Sequence, residues 1–160
     1  MLYYAIMPSP LGTLWLGQSE RGLCRIALGT ADAAGIAEEM LHDPVALAEP
    51  LRQLQEYFDG RRRVFALSLD LSAGSAFQQR VWRAAQQIPY GQTWSYGQLA
   101  AAVGRPNAAR AVGRALGANP LPIVVPCHRV LRADGAWGGF ALGLAVKRAL
   151  LQLEGYPSSA

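Results

Sequence analysis

The sequence predicts an α+β protein, with a small antiparallel-sheet lobe and one helix over residues 1–74 and a mostly α-helical lobe over 75–160. Three observations carry this reading. Short β-favouring runs crowd the beginning of the chain, helix-period apolar patterns dominate its second half, and the charge changes sign between the two. Residues 1–74 hold six arginines against nine acids, a balance of −3. Residues 75–160 hold eight arginines and Lys147 against Asp134 and Glu154, a balance of +7. With 51% hydrophobic and 16% charged residues, the chain can bury a core and does not read as disordered.

In chain order, residues 3–7, 13–17 and 22–28 read as three strands of an antiparallel meander, separated by Pro10-Leu11-Gly12 and Glu20-Arg21-Gly22 turns. A helix is expected over 45–58, where Leu47, Leu51, Leu54 and Phe58 fall at helical spacing, with Gly60 and Arg61-Arg62-Arg63 closing it. Residues 64–71 alternate well enough for a further strand, and 72–74 read as a linker. The second lobe opens with a helix over 76–87 that buries Phe77, Val81, Trp82 and Ala85 and breaks at Pro89-Tyr90-Gly91. Ser95 with Gln98 makes a capping box for a short helix that runs to Gly104. Asn107 is expected to cap the next helix, which continues through Leu116 and ends at Gly117. Helix, short turn, helix is the outline of a helix-turn-helix. A last helix over 144–154 carries Val146, Leu150 and Leu153 on its apolar side, and Gly155 marks its end.

Several function classes are set aside by composition. No apolar run approaches the roughly 20 residues of a membrane-spanning helix. The first ten residues lack the pattern of a secretory signal, so a cytoplasmic location is expected. The two cysteines, Cys24 and Cys127, make no disulfide framework and stand in no ligand cluster; His42 is isolated, so a structural zinc site is not expected. Cys24 is expected to be buried on a strand. The basic second half suits a polyanion, or is an arginine-rich surface. The helix after Asn107 is smooth, with Ala108, Ala109, Ala111, Gly113 and Ala115 and with Arg110 and Arg114 one turn apart. Such a helix can enter a groove of DNA with little sequence preference, or can pack tightly against other helices.

The run Asn119-Pro120-Leu121-Pro122-Ile123-Val124-Val125-Pro126-Cys127-His128-Arg129-Val130 holds the chemistry. Its three prolines predict a stiff, extended segment presenting Cys127. A cysteine is a nucleophile as thiolate and needs a base or positive charge, for which His128 and Arg129 are the nearest candidates in sequence. A lone cysteine can equally be a small hydrophobe. Glu154 sits in the last helical turn, where a carboxylate opposes the helix dipole. It can be an exposed glutamate, or it can orient an imidazole.

Pro126-Cys127-His128-Arg129-Val130 resembles the active-site motif of the O6-alkylguanine-DNA alkyltransferases. The resemblance runs in order through Phe77-Gln78, Val81-Trp82, Ile88-Pro89-Tyr90-Gly91, Ser95-Tyr96, Ala109-Arg110-Ala111-Val112-Gly113 and Asn119-Pro120. Beyond the cysteine it continues through Gly138-Gly139-Phe140, Lys147, Leu150-Leu151 and Glu154-Gly155. The first lobe is similar more loosely, at Ser9-Pro10-Leu11-Gly12 and Tyr57-Phe58-Asp59-Gly60.

The resemblance implies a suicide repair protein that moves an alkyl group from O6-alkylguanine in double-stranded DNA onto Cys127, with O4-alkylthymine as a second candidate base. It implies that His128 takes the thiol proton through a water held with Glu154, that Asn119 braces the active-site turn, and that Tyr96 donates to the departing guanine. Arg110 would fill the stack left by the flipped nucleotide, with Ala109, Gly113, Arg114 and Ser95 also on DNA. Val130, Trp137, Phe140, Ala141 and Lys147 would line the base pocket. No cofactor, metal or membrane is implied, and a monomer is expected. Phe140 stands where several relatives have tyrosine, which removes a hydroxyl from the pocket wall, and Leu142 stands where glycine is frequent, which should narrow the pocket. Two other readings are a damage-binding module that transfers nothing and a cysteine hydrolase, which would need an oxyanion hole.

Overall fold

The computed structural model describes residues 2–29, 40–135, 138, 140 and 142–156. Contacts divide the chain into two compact units, Met1–Leu71 and Ser72–Ala160.

In the first unit, β1 (Leu2–Met7), β2 (Leu14–Ser19) and β3 (Gly22–Leu28) form the expected antiparallel meander. A strand not foreseen from sequence, β4 (Met40–His42), adds to the free edge of β1 in parallel, giving the order β3-β2-β1-β4. Three residues are too few to show a period, so only pairing reveals it. Tyr4 lies opposite His42 in this register and stacks on Trp15 of β2, with ring centroids 5.8 Å apart. Residues 14–17 of β2 are buried without alternation, as befits a strand in the interior of the sheet. Cys24 lies on β3 as expected but is half-buried, not buried; burial, with the charge of Asp70 adding, still pushes its thiol up.

Helix α1 (Ala48–Phe58) starts three residues later than the periodicity predicts and buries Pro50, Gln53, Leu54, Tyr57 and Phe58. The strand expected over 64–71 shrinks to one bridge, Leu23 with Leu69. Its backbone finds other partners: buried Gln53 accepts from the Ala66 N–H at 2.9 Å and donates to the Ala66 carbonyl at 3.1 Å. At Ala66 one side-chain amide thus takes the place of a strand partner.

The second unit is built on α2 (Ala76–Ala85), α3 (Tyr96–Ala102), α4 (Ala109–Gly117) and α5 (Leu144–Leu153). Capping boxes open both α2 (Ser75 with Gln78) and α3 (Ser95 with Gln98). Helices α2, α3 and α4 pack on one another through Val81, Trp82, Ala85, Leu99, Ala100, Val112, Ala115 and Leu116. Trp82 Nε1 donates to the Ala115 carbonyl at 2.7 Å, which pins α4 to α2. Phe77 is only half-buried and lies beneath Arg105, 5.4 Å from its ring centroid.

Asn107 does not cap α4. The N-cap is Ala108, with no side-chain hydrogen bond, because residues 105–108 close a turn of their own through Ala108 N–H to the Arg105 carbonyl. The buried side of α5 is also rotated from the one expected. Lys147, Leu150, Leu151 and the C-cap Glu154 are buried, while Val146 and Leu153 are half-buried. Among the described residues no helix is long and apolar enough to cross a membrane.

Candidate active site

The chain leaves α4 through Asn119, whose buried side chain is fully used. Its Oδ1 accepts from Leu121 N–H at 2.9 Å, while Nδ2 donates to the Val125 carbonyl at 3.0 Å and to Cys127 Sγ at 3.2 Å. The Leu121 carbonyl accepts from Val125 N–H at 2.8 Å, and the Val125 carbonyl also accepts from Cys127 N–H at 2.7 Å. The proline-rich run is therefore a tight turn rather than the extended segment its prolines suggest. Folding back buries Leu121, Ile123, Val124 and Val125, which an extended path would leave in water. The turn forces Ile123 to φ 80°. A β-branched residue there costs on the order of 1–3 kcal/mol and persists only where its surroundings over-determine it, as the bonds on either side do.

Cys127, His128 and Arg129 form a single 3₁₀ turn that runs into β6 (Val130–Leu131), itself paired in parallel with β5 (Trp94–Ser95). Cys127 is buried, and burial pushes its thiol up to about 11 against the opposing Asn119 hydrogen bond and the charge of Lys147. At neutral pH it rests as a thiol.

His128 is fully buried, and its Nε2 lies 2.7 Å from Glu154 Oε2. A carboxylate only accepts, so this contact assigns the ring proton to Nε2 and leaves the lone pair on Nδ1. Nδ1 is buried and has no hydrogen-bond partner among the described residues. Burial lowers the imidazole's affinity for a second proton; Glu154 opposes this, and Arg129 and Lys147 reinforce it. Phe140 meets the ring edge-on, with centroids 6.4 Å apart.

Glu154 is buried at the end of α5, which decides between the two readings left open by its sequence position. Burial pushes its carboxyl up, but hydrogen bonds from His128 and Arg129, together with their charges, outweigh that and hold it at about 2. Arg129 does not serve the thiol. It forks onto Glu154, Nε to Oε1 at 2.8 Å and Nη2 to Oε2 at 3.0 Å, and its Nη1 donates to the Ile88 carbonyl at 2.8 Å. Its guanidinium carbon stands 5.7 Å from the centroid of the Tyr90 ring.

Lys147, two turns before Glu154 on the same side of α5, is fully buried and donates to the carbonyl of buried Val130 at 2.8 Å. Burial brings its ammonium down to about 8, against the pull of Cys127.

A groove of about 550 Å³ is lined by Tyr96 and Gly97 at the start of α3, Ala109, Arg110 and Gly113 on α4, Arg132 and Ala133 beyond β6, and Gly138. The β5–β6 pairing brings these segments together, since each strand ends next to lining residues. Gly113 leaves room beside the Tyr96 ring, where a Cβ would meet it at 3.7 Å. Of the residues expected on DNA, Arg110, Ala109 and Gly113 line this groove with Tyr96. Arg114 is exposed on α4 outside the lining, and Ser95 is occupied as the α3 cap. Arg132 and Ala133 were missed because nothing in sequence reveals a two-residue strand before them. Trp137 and Ala141 lie outside the described residues. Among the described residues no three His, Cys, Asp or Glu side chains converge as a metal site.

Residues 2–71 match the ribonuclease-like domain of 6-O-methylguanine DNA methyltransferase, and residues 76–156 match its DNA binding domain. The methylated-DNA–protein-cysteine methyltransferase of Mycolicibacterium paratuberculosis is 45% identical over 154 residues, covering 96% of this chain and 93% of that protein. The constitutive enzyme of that name from Bacillus subtilis is 43% identical over 159 residues, covering 96% of each. A crystal structure of Mycobacterium tuberculosis OGT in complex with DNA superposes with a TM-score of 0.86 at 44% identity, covering 95% of this chain and 92% of the other. By sequence along nearly its whole length and by the fold of its relatives, the chain belongs to the O6-alkylguanine-DNA alkyltransferases, the family of methylated-DNA–protein-cysteine methyltransferases.

Proposed function

We propose that this protein repairs DNA by direct reversal, taking a methyl or other alkyl group from O6-alkylguanine onto Cys127 in a single turnover. The observation that carries the reading is the buried thiol held by Asn119, in the same turn as an imidazole whose Nε2 is bound to Glu154 and whose Nδ1 has no partner among the described residues. Residues 75–160 act as the DNA-binding and alkyl-acceptor part, with the first lobe structural, in a monomer of the cytoplasm.

The damaged base enters from the groove. Arg110, exposed at the start of α4, occupies the stack in place of the flipped nucleotide. No side chain caps the α4 N-terminus, so its first amides suit a DNA phosphate, and α3 with α4 act as a helix-turn-helix whose small residues permit close approach. Because the thiol rests protonated, a base is required. His128 Nδ1 takes the proton through a bridging water, and the resulting imidazolium is stabilised by Glu154. The thiolate attacks the alkyl carbon, the carbon–O6 bond breaks, and its electron pair leaves on guanine, assisted by a proton or hydrogen bond from the Tyr96 hydroxyl. The thioether formed has no acyl carbon for water to attack, so the protein is consumed.

A cysteine hydrolase is disfavoured, because the amide of Cys127 already serves the Val125 carbonyl and the prolines around it lack N–H donors. Duplex DNA bearing labelled O6-methylguanine should transfer about one label per protein molecule, mapped to Cys127 by mass spectrometry. Repeated turnover, or label on a Cys127→Ala variant, refutes the reading; tight binding without transfer supports the damage-binding module instead.

A further inference from the structure

Arg129 is buried, yet the alkyl-transfer steps above give it no part. We propose that Arg129 is a positioning residue that keeps the His128–Glu154 pair one proton short, so that His128 Nδ1 stays an open lone pair at neutral pH. The proposal rests on the reading of His128 as the base.

The argument begins with the carboxylate. Both oxygens of Glu154 receive an Arg129 N–H, at 2.8 and 3.0 Å, and Oε2 also receives the His128 ring proton. The fork is aimed from behind, where the Ile88 carbonyl and the Tyr90 ring hold the guanidinium, and Tyr90 is itself tied to the Leu153 carbonyl at 3.2 Å. A buried carboxylate facing only an imidazole would tend to bind one more proton, because burial disfavours its charge. That proton could sit on the ring, giving imidazolium against carboxylate. It could also sit on the carboxyl, which would then donate to Nε2 and move the ring proton to Nδ1. In both cases Nδ1 carries hydrogen and cannot act as base.

Arg129 works against both. Two N–H groups aimed at the carboxylate favour its ionised form, and a fixed positive charge beside the pair disfavours imidazolium. Among the described residues, the groups facing His128 from other elements are Glu154 and Lys147 of α5 and the Phe140 ring; Cys127 and Arg129 come from its own turn. Lys147 adds positive charge and donates to the Val130 carbonyl, while the fork that meets both carboxylate oxygens comes from Arg129.

The test is single-turnover transfer from O6-methylguanine duplex DNA, measured from pH 5 to 9.5, in the wild type and in Arg129→Met and Arg129→Lys. Arg129→Met should lose about tenfold or more at pH 7 and regain rate as pH rises, its limb moved alkaline by at least about two units. Arg129→Lys should place its midpoint between those of wild type and Arg129→Met, since it restores the charge without the fork. A uniform loss with an unmoved midpoint would overturn the proposal. Should Arg129→Met not fold, the ring ¹⁵N shifts of intact wild type decide, with the second histidine removed by His42→Gln. Neutral His128 with hydrogen on Nε2 throughout pH 6–9 is expected, and a titration in that range or a proton on Nδ1 sinks the idea. Failure of the underlying reading looks different: no transfer to Cys127, or a His128→Ala rate equal to wild type.

Discussion

Replacing Asn119 by alanine separates the two tasks assigned to its side chain. The variant loses three hydrogen bonds, but the damage is unequal. The Val125 carbonyl keeps the Cys127 amide as donor, whereas Leu121 N–H loses its acceptor inside a buried turn. An orphaned buried donor costs about 1–3 kcal/mol and each ordinary bond about 1 kcal/mol, so a loss of about 2–4 kcal/mol is expected. With a urea slope of about 2 kcal/mol/M, the unfolding midpoint should fall by about 1–2 M. Urea titration with amide exchange read over residues 72–160 measures this on the unit that carries the site. Asn119→Asp then isolates the chemistry: its carboxylate can accept from Leu121 N–H but donates nothing to sulfur and sets a negative charge where a donor stood 3.2 Å from Sγ. Its transfer rate should fall at least about tenfold below that of Asn119→Ala at neutral pH. A midpoint within about 0.3 M of wild type for Asn119→Ala would refute the account of the turn. An aspartate variant as fast as the alanine one would refute the account of the thiol.

Gly138→Ala should slow transfer and destabilise the groove, because a Cβ there meets the Tyr96 hydroxyl at 2.7 Å and φ is +65°; unchanged kinetics would remove Tyr96 from the site. Glu154 makes the second unit acid-sensitive. Its carboxyl is depressed from 4.5 to about 2, so the stability it supplies is present above pH 4.5 and is lost as pH falls toward 2. Acid titration of Glu154→Gln should lack that slope, and an identical acid transition in both proteins would count against the ionised carboxylate. Arg110→Ala should weaken repair of duplex DNA more than transfer from a free O6-alkylguanine base, measured side by side with label; equal losses would show that Arg110 takes no part in extruding the nucleotide.

The sequence by itself determined the three-stranded meander and the helices of the second lobe, and it singled out Cys127 as the candidate nucleophile. Each rests on local information: turn residues, helical spacing of Val81, Trp82 and Ala85, the Ser95–Gln98 capping box, and an ordered motif around Cys127. Local information also misled where a backbone found a distant partner. Residues 64–71 alternate as a strand should, yet they touch β3 only around Leu69, and Ala66 is bonded instead by the Gln53 side chain of α1. Asn107 is a good cap that is not used, since the turn before α4 closes one residue later.

Only the tertiary structure decided what the polar residues do. Glu154 lies 26 positions from His128, and its place in the sequence favours an exposed glutamate over a relay. Arg129, next to the imidazole in the chain, turns away from the thiol and forks onto that same carboxylate. Lys147, read as pocket lining, is fully buried against the Val130 carbonyl. The physical reason is common to all three. A buried charge is tolerable only with partners, those partners come from whichever element packs alongside, and spacing along one chain does not record that choice.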